Sequence, residues 1–140
     1  MLPDAAITAF VALGSNLGDR RTYLAIAREE LAALPGTRVV ATTTIEETAP
    51  LAGLEQPAYF NQMVSLETRL PANDLLAECH RIERGAGRER GERWTSRTLD
   101  LDLVRYGGLL CDLPALTIPH PGLRDRGFWA REIAELEAHA

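Results

Sequence analysis

The sequence contains no lysine, and all 15 basic residues of the 140-residue chain are arginine. This absence excludes Schiff-base chemistry and the phosphate-binding lysine of a P-loop. Excess positive charge is also absent, since 20 acidic residues against 15 basic ones give a formal net charge of −5. General binding to nucleic acid needs the opposite balance. We therefore expect no nucleic-acid partner, and any anionic ligand would have to be met by a local group of arginines.

Cysteines and long apolar segments are scarce as well. Cys79 and Cys111 are far apart and form no CxxC pair, so the sequence gives no support to a zinc site or a redox motif. No apolar run approaches the roughly 20 residues that span a bilayer, and the N-terminus does not resemble a targeting segment. We expect a soluble, cytoplasmic protein without a membrane partner, folded as a single domain over residues 1–140.

The apolar patterns predict four main strands and two main helices. Strands are expected at residues 7–13, 38–45, 59–68 and 98–106, where apolar and β-branched residues run together or alternate. The first helix is expected after a cap at Asp19 and before Pro35-Gly36, and its apolar face comprises Leu24, Ala27, Leu31 and Leu34. The second is expected from about Pro71 to Gly85, and its apolar face comprises Leu75, Leu76, Cys79 and Ile82.

This order of strand, helix, strand, strand, helix and strand predicts an α+β fold of the ferredoxin-like (βαββαβ) sandwich type. From Leu109 onward the sequence predicts a hairpin-like stretch, a proline-containing loop and a last helix from about Phe128 to Ala138. No internal repeat or domain linker is visible in the sequence.

An alternating acidic pair, Asp100 and Asp102, lies in the last main strand between Leu99, Leu101 and Leu103. The two-residue period of a strand puts both carboxylates on one face, with Cα atoms roughly 6 to 7 Å apart. Two neighbouring carboxylates that stay ionised need a compensating cation, and Mg²⁺ prefers such oxygen ligands. The alternative is a solvated face of an edge strand, where acidic residues discourage association between sheets.

An arginine-rich stretch precedes this strand. Residues 81–97 contain three glutamates and six arginines, namely Arg81, Arg84, Arg88, Arg90, Arg93 and Arg97. Planar guanidinium groups bind phosphate oxygens in pairs, so this stretch could hold a polyphosphate beside the metal ions. Gly85, Gly87 and Gly91 suggest a loop that closes over the site. The alternative is a surface loop of mixed charge with salt bridges.

Other residues suggest contacts with a flat heteroaromatic ligand. Asn61 shares a strand face with Tyr59 and Met63 and must satisfy its amide within the fold or on a ligand. Trp94 and Phe128 could stack on a ring or pack in the core. His120, held between two prolines, could be aimed at a ligand or pack in its loop. The turn at residues 14–18 is either a phosphate-binding loop or an ordinary turn from strand to helix.

Four motifs together resemble those of the 6-hydroxymethyl-7,8-dihydropterin pyrophosphokinase family of the folate pathway. They occur in order over roughly residues 7 to 128 and read GSNLG at 14–18, QPAYFN at 56–61, RWTSRTLDLD at 93–102 and IPHP at 118–121. The resemblance implies transfer of the β,γ-pyrophosphoryl group of ATP to the hydroxymethyl group of the pterin, giving AMP. It implies ATP and the pterin as small-molecule partners and two Mg²⁺ ions as cofactors, and it leaves open an association with other folate-pathway enzymes.

The resemblance also assigns roles to individual residues. Asp100 and Asp102 would bind the metal ions and, together with Arg88 and Arg97, form the catalytic group. The nucleotide site would comprise Leu76, Glu83, Arg88, Arg90, Arg97, Leu103, Thr117, His120 and Arg126. The pterin pocket would comprise Gly14, Thr48, Pro50, Leu51, Tyr59, Asn61, Trp94 and Phe128. The sequence departs from residues common in the family at Ala49, Ala115 and Pro121.

Two other functions fit the same residues. One is a different metal-dependent phosphoryl- or nucleotidyltransferase on a ferredoxin-like fold, since a fold does not fix a reaction. The other is a catalytically silent module that binds a nucleotide or a metabolite.

Overall fold

The structure, a computed structural model, describes residues 5–49, 58–86 and 99–138. Its helices are α1 (Arg20–Ala32), α2 (Ala72–Gly85) and α3 (Gly127–Ala138), with a short 3-10 turn at Pro121–Leu123. Its strands are β1 (Ile7–Ser15), β2 (Thr37–Thr42), β3 (Glu46–Thr48), β4 (Tyr59–Thr68), β5 (Asp100–Tyr106), β6 (Cys111–Leu113) and β7 (Leu116–Ile118). The predicted α+β class is therefore confirmed.

Five strands form one antiparallel sheet. The order β2-β4-β1-β5 places β1 and β4 in the centre, and β3 pairs with the first residues of β4. Among the strands that the structure describes, β5 pairs with β1 alone in this sheet. The hairpin β6-β7 forms a separate two-stranded sheet and confirms the hairpin-like stretch expected after Leu109.

The two faces of the large sheet bury different helices. Helices α1 and α2 pack on one face, where Leu24, Leu31, Leu75 and Cys79 meet alternate residues of β1, β4 and β5. Helix α3 packs on the other face, which we call the α3 face, through Trp129, Ile133 and Leu136. This division follows from the two-residue period of the strands, because Val11 and Leu13 point to one face while Phe10 and Ala12 point to the other.

Several predicted boundaries are confirmed. Strand β4 covers the predicted range of 59–68, and α2 ends at Gly85 as expected. Asp19 caps α1 by accepting a hydrogen bond from the backbone N–H of Thr22 at 3.1 Å. This contact also lowers the pKa of the Asp19 carboxyl. The predicted apolar positions of α1 are all buried.

Two strand boundaries were wrong, and one strand was missed. Strand β1 continues to Ser15, because β4 pairs with it along this whole stretch. Strand β2 ends at Thr42 instead of Ile45. At Thr43 the backbone N–H still donates to the Met63 carbonyl at 3.0 Å, but the Thr43 hydroxyl, instead of the backbone carbonyl, accepts from the Met63 N–H at 3.0 Å. Strand β3 was not predicted, because a run of two glutamates and a threonine has little strand propensity of its own.

The last strand of the large sheet and the last helix lie close to their predicted positions. Strand β5 begins at Asp100 rather than Thr98, which lies outside the described residues, and α3 begins one residue before the predicted Phe128. Among the described residues, no helix is long and apolar enough to cross a membrane.

Candidate active site

The strand register places the two acidic residues beside the candidate pterin residues. Gly14 lies between Asn61 of β4 and Asp100 of β5, and Ala12 lies between Met63 and Asp102. Residues that are directly paired across strands share a sheet face. Because Ala12 and Met63 pack against α3, Asp100, Asp102, Gly14 and Asn61 all lie on the α3 face. Adjacent strands are about 4.8 Å apart, so Asn61 and Asp100 are separated by about 10 Å.

Asp102 is paired with His120. The two side chains approach to 3.5 Å between Asp102 Oδ1 and His120 Nε2, and both are about three-quarters buried. His120 Nδ1 accepts a hydrogen bond from the backbone N–H of Gly122 at 2.9 Å, which assigns the ring hydrogen to Nε2, on the side of Asp102. The backbone N–H of His120 also donates to Val104 of β5 at 2.9 Å. The loop that carries His120 is thus fixed to the acidic strand.

Trp129 supports this loop from α3. The rings of His120 and Trp129 meet edge to face with centroids 5.2 Å apart, and the Arg126 guanidinium lies 4.6 Å from the centre of the indole. Phe128 touches the same indole from another side, with centroids 6.4 Å apart. Trp129 therefore joins three predicted site residues, although we had not predicted it. Its spacing from Ile133 and Leu136, which marks the buried face of α3, was the available signal.

Glu83 is held behind the acidic strand. Its side chain is only 5% exposed, and its Oε2 accepts a hydrogen bond from the backbone N–H of Leu101 at 2.8 Å. Leu101 lies between the two aspartates in sequence but points to the opposite face, into the core with α1 and α2. Glu83 therefore contacts the backbone of β5 at the centre of the acidic pair.

Three other candidate nucleotide residues lie in β5 or in elements that contact it. Leu103 is 2% exposed in the core, and Leu76 packs against the same core from α2. Thr117 belongs to β7, which contacts β5, and its hydroxyl donates to the Leu113 carbonyl at 3.3 Å. The structure does not bring the side chains of Leu76 and Leu103 to the aspartate face.

The candidate pterin residues form a group around Gly14. A Cβ atom added to Gly14 would lie 3.4 Å from Asn61 Oδ1 and 3.6 Å from Tyr59 Cδ1. The Asn61 amide nitrogen donates to the Thr48 hydroxyl at 2.5 Å, and Thr48 pairs with Tyr59 across β3 and β4. Because Gly14 has no side chain, the Asn61 amide keeps a carbonyl oxygen directed over the backbone of β1.

The remaining predicted residues, Pro50, Leu51, Arg88, Arg90, Trp94 and Arg97, lie outside the described residues. Within the described ranges, no group of three or more His, Cys, Asp and Glu side chains forms a cage for a metal ion. Two carboxylates on one strand face suit Mg²⁺, which retains several waters and binds substrate phosphates in the remaining positions.

The buried thiol of α2 is affected by several carboxylates. Burial, and then the charges of Glu83, Asp102 and Glu78, raise the pKa of the Cys79 thiol to about 12.

Comparisons with known proteins identify the family of the chain. The family model for 7,8-dihydro-6-hydroxymethylpterin-pyrophosphokinase (HPPK) matches residues 10–138. A 2-amino-4-hydroxy-6-hydroxymethyldihydropteridine pyrophosphokinase of Pseudomonas aeruginosa is 40% identical over 127 residues, covering 91% of this chain and 78% of the relative. The protein of the same name from Haemophilus influenzae is 41% identical over 122 residues, covering 87% of this chain and 76% of the relative.

A further relative has a different size. The folic acid synthesis protein fol1 of Schizosaccharomyces pombe is 34% identical over 128 residues, covering 91% of this chain and 18% of that longer protein. The match therefore spans nearly the whole of this chain in relatives of very different lengths. The chain belongs to the 7,8-dihydro-6-hydroxymethylpterin-pyrophosphokinase family.

Proposed function

We propose that this chain transfers the β,γ-pyrophosphoryl group of ATP to 6-hydroxymethyl-7,8-dihydropterin in folate biosynthesis. The hydroxymethyl oxygen would form a bond to the β-phosphorus, and the bond from that phosphorus to the α,β-bridging oxygen would break. The products are AMP, the pterin diphosphate and the proton of the hydroxyl group. One observation carries this proposal: Gly14 pairs with Asn61 on one side and with Asp100 on the other. An amide that can bind a pterin and a carboxylate that can bind a metal ion therefore lie on one face of the sheet.

The residues on the α3 face would act mainly by binding and positioning the two substrates. The Asn61 amide would pair with the edge of the pterin beside Gly14, and Phe128 would stack on its ring together with Trp94. His120 and Arg126, both supported by Trp129, would meet the phosphates from the segment that precedes α3. Arg88, Arg90 and Arg97, which lie outside the described residues, would bind phosphate oxygens or close the loop over them.

Asp100 and Asp102 would hold two Mg²⁺ ions between them and the triphosphate. When bound, Mg²⁺ would neutralise charge on the phosphate oxygens and thereby favour attack at phosphorus. The adenine would lie at the outer edge of β5, near Thr117 and the backbone of Leu103.

We also propose the ferredoxin-like arrangement for the main sheet. The order β2-β4-β1-β5, with α1 and α2 on the same face, supports it, and β3 would be an addition beside β4. Both cores share this one sheet, which supports a single pyrophosphokinase domain over residues 1–140.

Product analysis with the purified chain, ATP, Mg²⁺ and the hydroxymethyl pterin tests the reaction. We expect AMP and the pterin diphosphate in equal amounts, and AMP only when the pterin is present. ADP or free pyrophosphate as the product would instead support another phosphoryl- or nucleotidyltransferase. Binding of both substrates without turnover would support a silent module.

The change Asp102→Ala tests the carboxylate site. We expect turnover to fall at least about 100-fold, because this carboxylate would be a direct metal ligand. The free energy of unfolding should change by no more than about 1 kcal/mol, since Asp102 lies on a partly open face.

Asp74→Asn is a suitable control, because Asp74 is exposed in the first turn of α2. It should leave turnover unchanged. Retained turnover in Asp102→Ala, combined with a large loss of stability, would contradict the assignment.

A further inference from the structure

We propose that Glu83 is a positioning residue that fixes the backbone of β5 midway between Asp100 and Asp102. The inference rests on the proposed function, because it assumes that these aspartates bind the metal ions. Its basis is the hydrogen bond from the Leu101 N–H to Glu83 Oε2 at 2.8 Å, with Leu101 and Glu83 both buried.

The position of β5 at the sheet edge explains why this contact matters. Successive N–H groups of a strand point to opposite sides, so a strand with one neighbour leaves every second N–H without a ladder partner. Within the described residues, strand β5 pairs with β1 alone in the large sheet. The Leu101 N–H is satisfied from α2 by a carboxylate, and a buried N–H left without an acceptor would be costly.

The contact also sets the direction of the acidic side chains. Asp100 and Asp102 flank Leu101, so a shift of the Leu101 peptide would rotate both Cα–Cβ bonds that carry the carboxylates. A hydrogen bond from a rigid helix holds that peptide more firmly than water would. Helix α2 itself is anchored by Leu75, Cys79 and Ile82 in the core.

The charge of Glu83 adds a second effect. Glu83 Oε2 accepts a hydrogen bond from the residue between the two aspartates, so its charge lies close to both of them along β5. A buried carboxylate is costly by itself. Mg²⁺ ions held by Asp100 and Asp102 would offset that cost, so Glu83 should raise metal affinity both by positioning and by charge.

Two substitutions separate these effects. Glu83→Gln keeps an oxygen acceptor for Leu101 but removes the charge, and Glu83→Ala removes both. We expect Glu83→Ala to raise the half-saturating Mg²⁺ concentration and lower kcat, each by about tenfold or more. Glu83→Gln should keep most of kcat, with a rise of about threefold in half-saturating Mg²⁺. The KM for the pterin should stay within about twofold in both variants.

A measurement without turnover accompanies the kinetics. In Glu83→Ala we expect amide hydrogen exchange of Leu101 to become faster, while exchange in the centre of β1 stays slow. Glu83→Gln should restore slow exchange at Leu101. If the unsubstituted protein forms no AMP, the proposed function fails, whereas the exchange data still test the positioning role of Glu83.

Glu78→Gln on the same helix is the matched control, since Glu78 bonds Arg81 on the surface. It should change none of these quantities. An unchanged Mg²⁺ requirement in Glu83→Ala, or unchanged exchange at Leu101, would overturn the inference. Should Glu83→Ala fail to fold, Glu83→Gln decides the charge effect, and an unchanged half-saturating Mg²⁺ concentration in it would refute that part.

Discussion

Gly14, which has no side chain, lies at the centre of the candidate site. Its neighbours across the sheet are Asn61 and Asp100. A methyl group on Gly14 would be in van der Waals contact with the Asn61 carbonyl oxygen and with the Tyr59 ring. A methyl group there would therefore take up space next to the Asn61 carbonyl oxygen.

We predict that Gly14→Ala weakens pterin binding without weakening the fold. The methyl group would lie beside the Asn61 amide, where the pterin would bind. The KM for the pterin should rise about tenfold, which is the usual effect of one surplus methyl group in a binding pocket. The KM for ATP should stay nearly unchanged. The free energy of unfolding should stay equal or rise by about 0.5 kcal/mol, because alanine suits a strand better than glycine.

Steady-state kinetics with each substrate varied in turn, together with urea unfolding, test this prediction. Gly108→Ala is the control, because a Cβ atom there meets no heavy atom within 4 Å. Equal changes in both KM values would show that Gly14 does not border the pterin pocket.

At the scale of elements, α3 is joined to β3 by a pair of carboxyl groups. Glu132 of α3 is 1% exposed and accepts a hydrogen bond from the Thr43 hydroxyl at 3.4 Å. Its neighbour Arg131 donates to Glu46 of β3 at 2.8 Å. Burial, and then the charge and hydrogen bond of Glu46, raise the pKa of Glu132 to about 7. Glu132 is therefore largely protonated in the folded protein below neutral pH.

This pair predicts the pH dependence of stability. The ordinary pKa of Glu132 is 4.5. Between pH 4.5 and about 7, the folded state therefore keeps a proton that the unfolded state has released. The stabilisation is fully present below pH 4.5 and is lost as the pH rises through 7. In all, the free energy of unfolding should fall by about 3 kcal/mol across this range from this group.

Urea unfolding from pH 5 to pH 8 tests this prediction. Glu132→Gln should flatten the pH profile and be more stable than the unsubstituted protein at pH 8. Glu135→Gln, exposed on the same helix, should keep the original profile. If the pH profile of Glu132→Gln ran parallel to that of the unsubstituted protein, the raised pKa of Glu132 would be contradicted.

At the scale of the whole molecule, Cys79 reports on the integrity of the larger core. Its side chain is fully buried among residues of β1, α1, β4, α2 and β5. Burial also raises the pKa of this thiol to about 12, so the reactive thiolate is almost absent at pH 8. Access to Cys79 requires separation of the sheet from its helices.

We therefore expect Cys79 to react with a thiol reagent only when the whole domain opens. In a Cys111→Ser variant, labelling at pH 8 should proceed at the rate of global unfolding and accelerate with urea in parallel with it. Rapid labelling in native buffer, at the rate of the half-buried Cys111 in Cys79→Ser, would show that α2 detaches independently.

The sequence by itself determined the elements whose signals are local. The Asp19 cap, the apolar face of α1, the range of β4 and the end of α2 at Gly85 all follow from neighbouring residues. The family also follows from short motifs. The alternation around Asp100 and Asp102 already required a common face for the two carboxylates, because the side-chain period of a strand is two.

Only the tertiary structure decided which residues lie beside the two aspartates across the sheet and which residues contact β5 from the helices and loops. The pairing of Gly14 with Asn61 and Asp100 depends on the strand order, and β3 forms because β4 offers it an edge. The contact of Glu83 with Leu101 joins residues 18 apart, and the support of His120 by Trp129 comes from the packing of α3. Such contacts arise from the register of distant segments, and local sequence patterns carry no information about register.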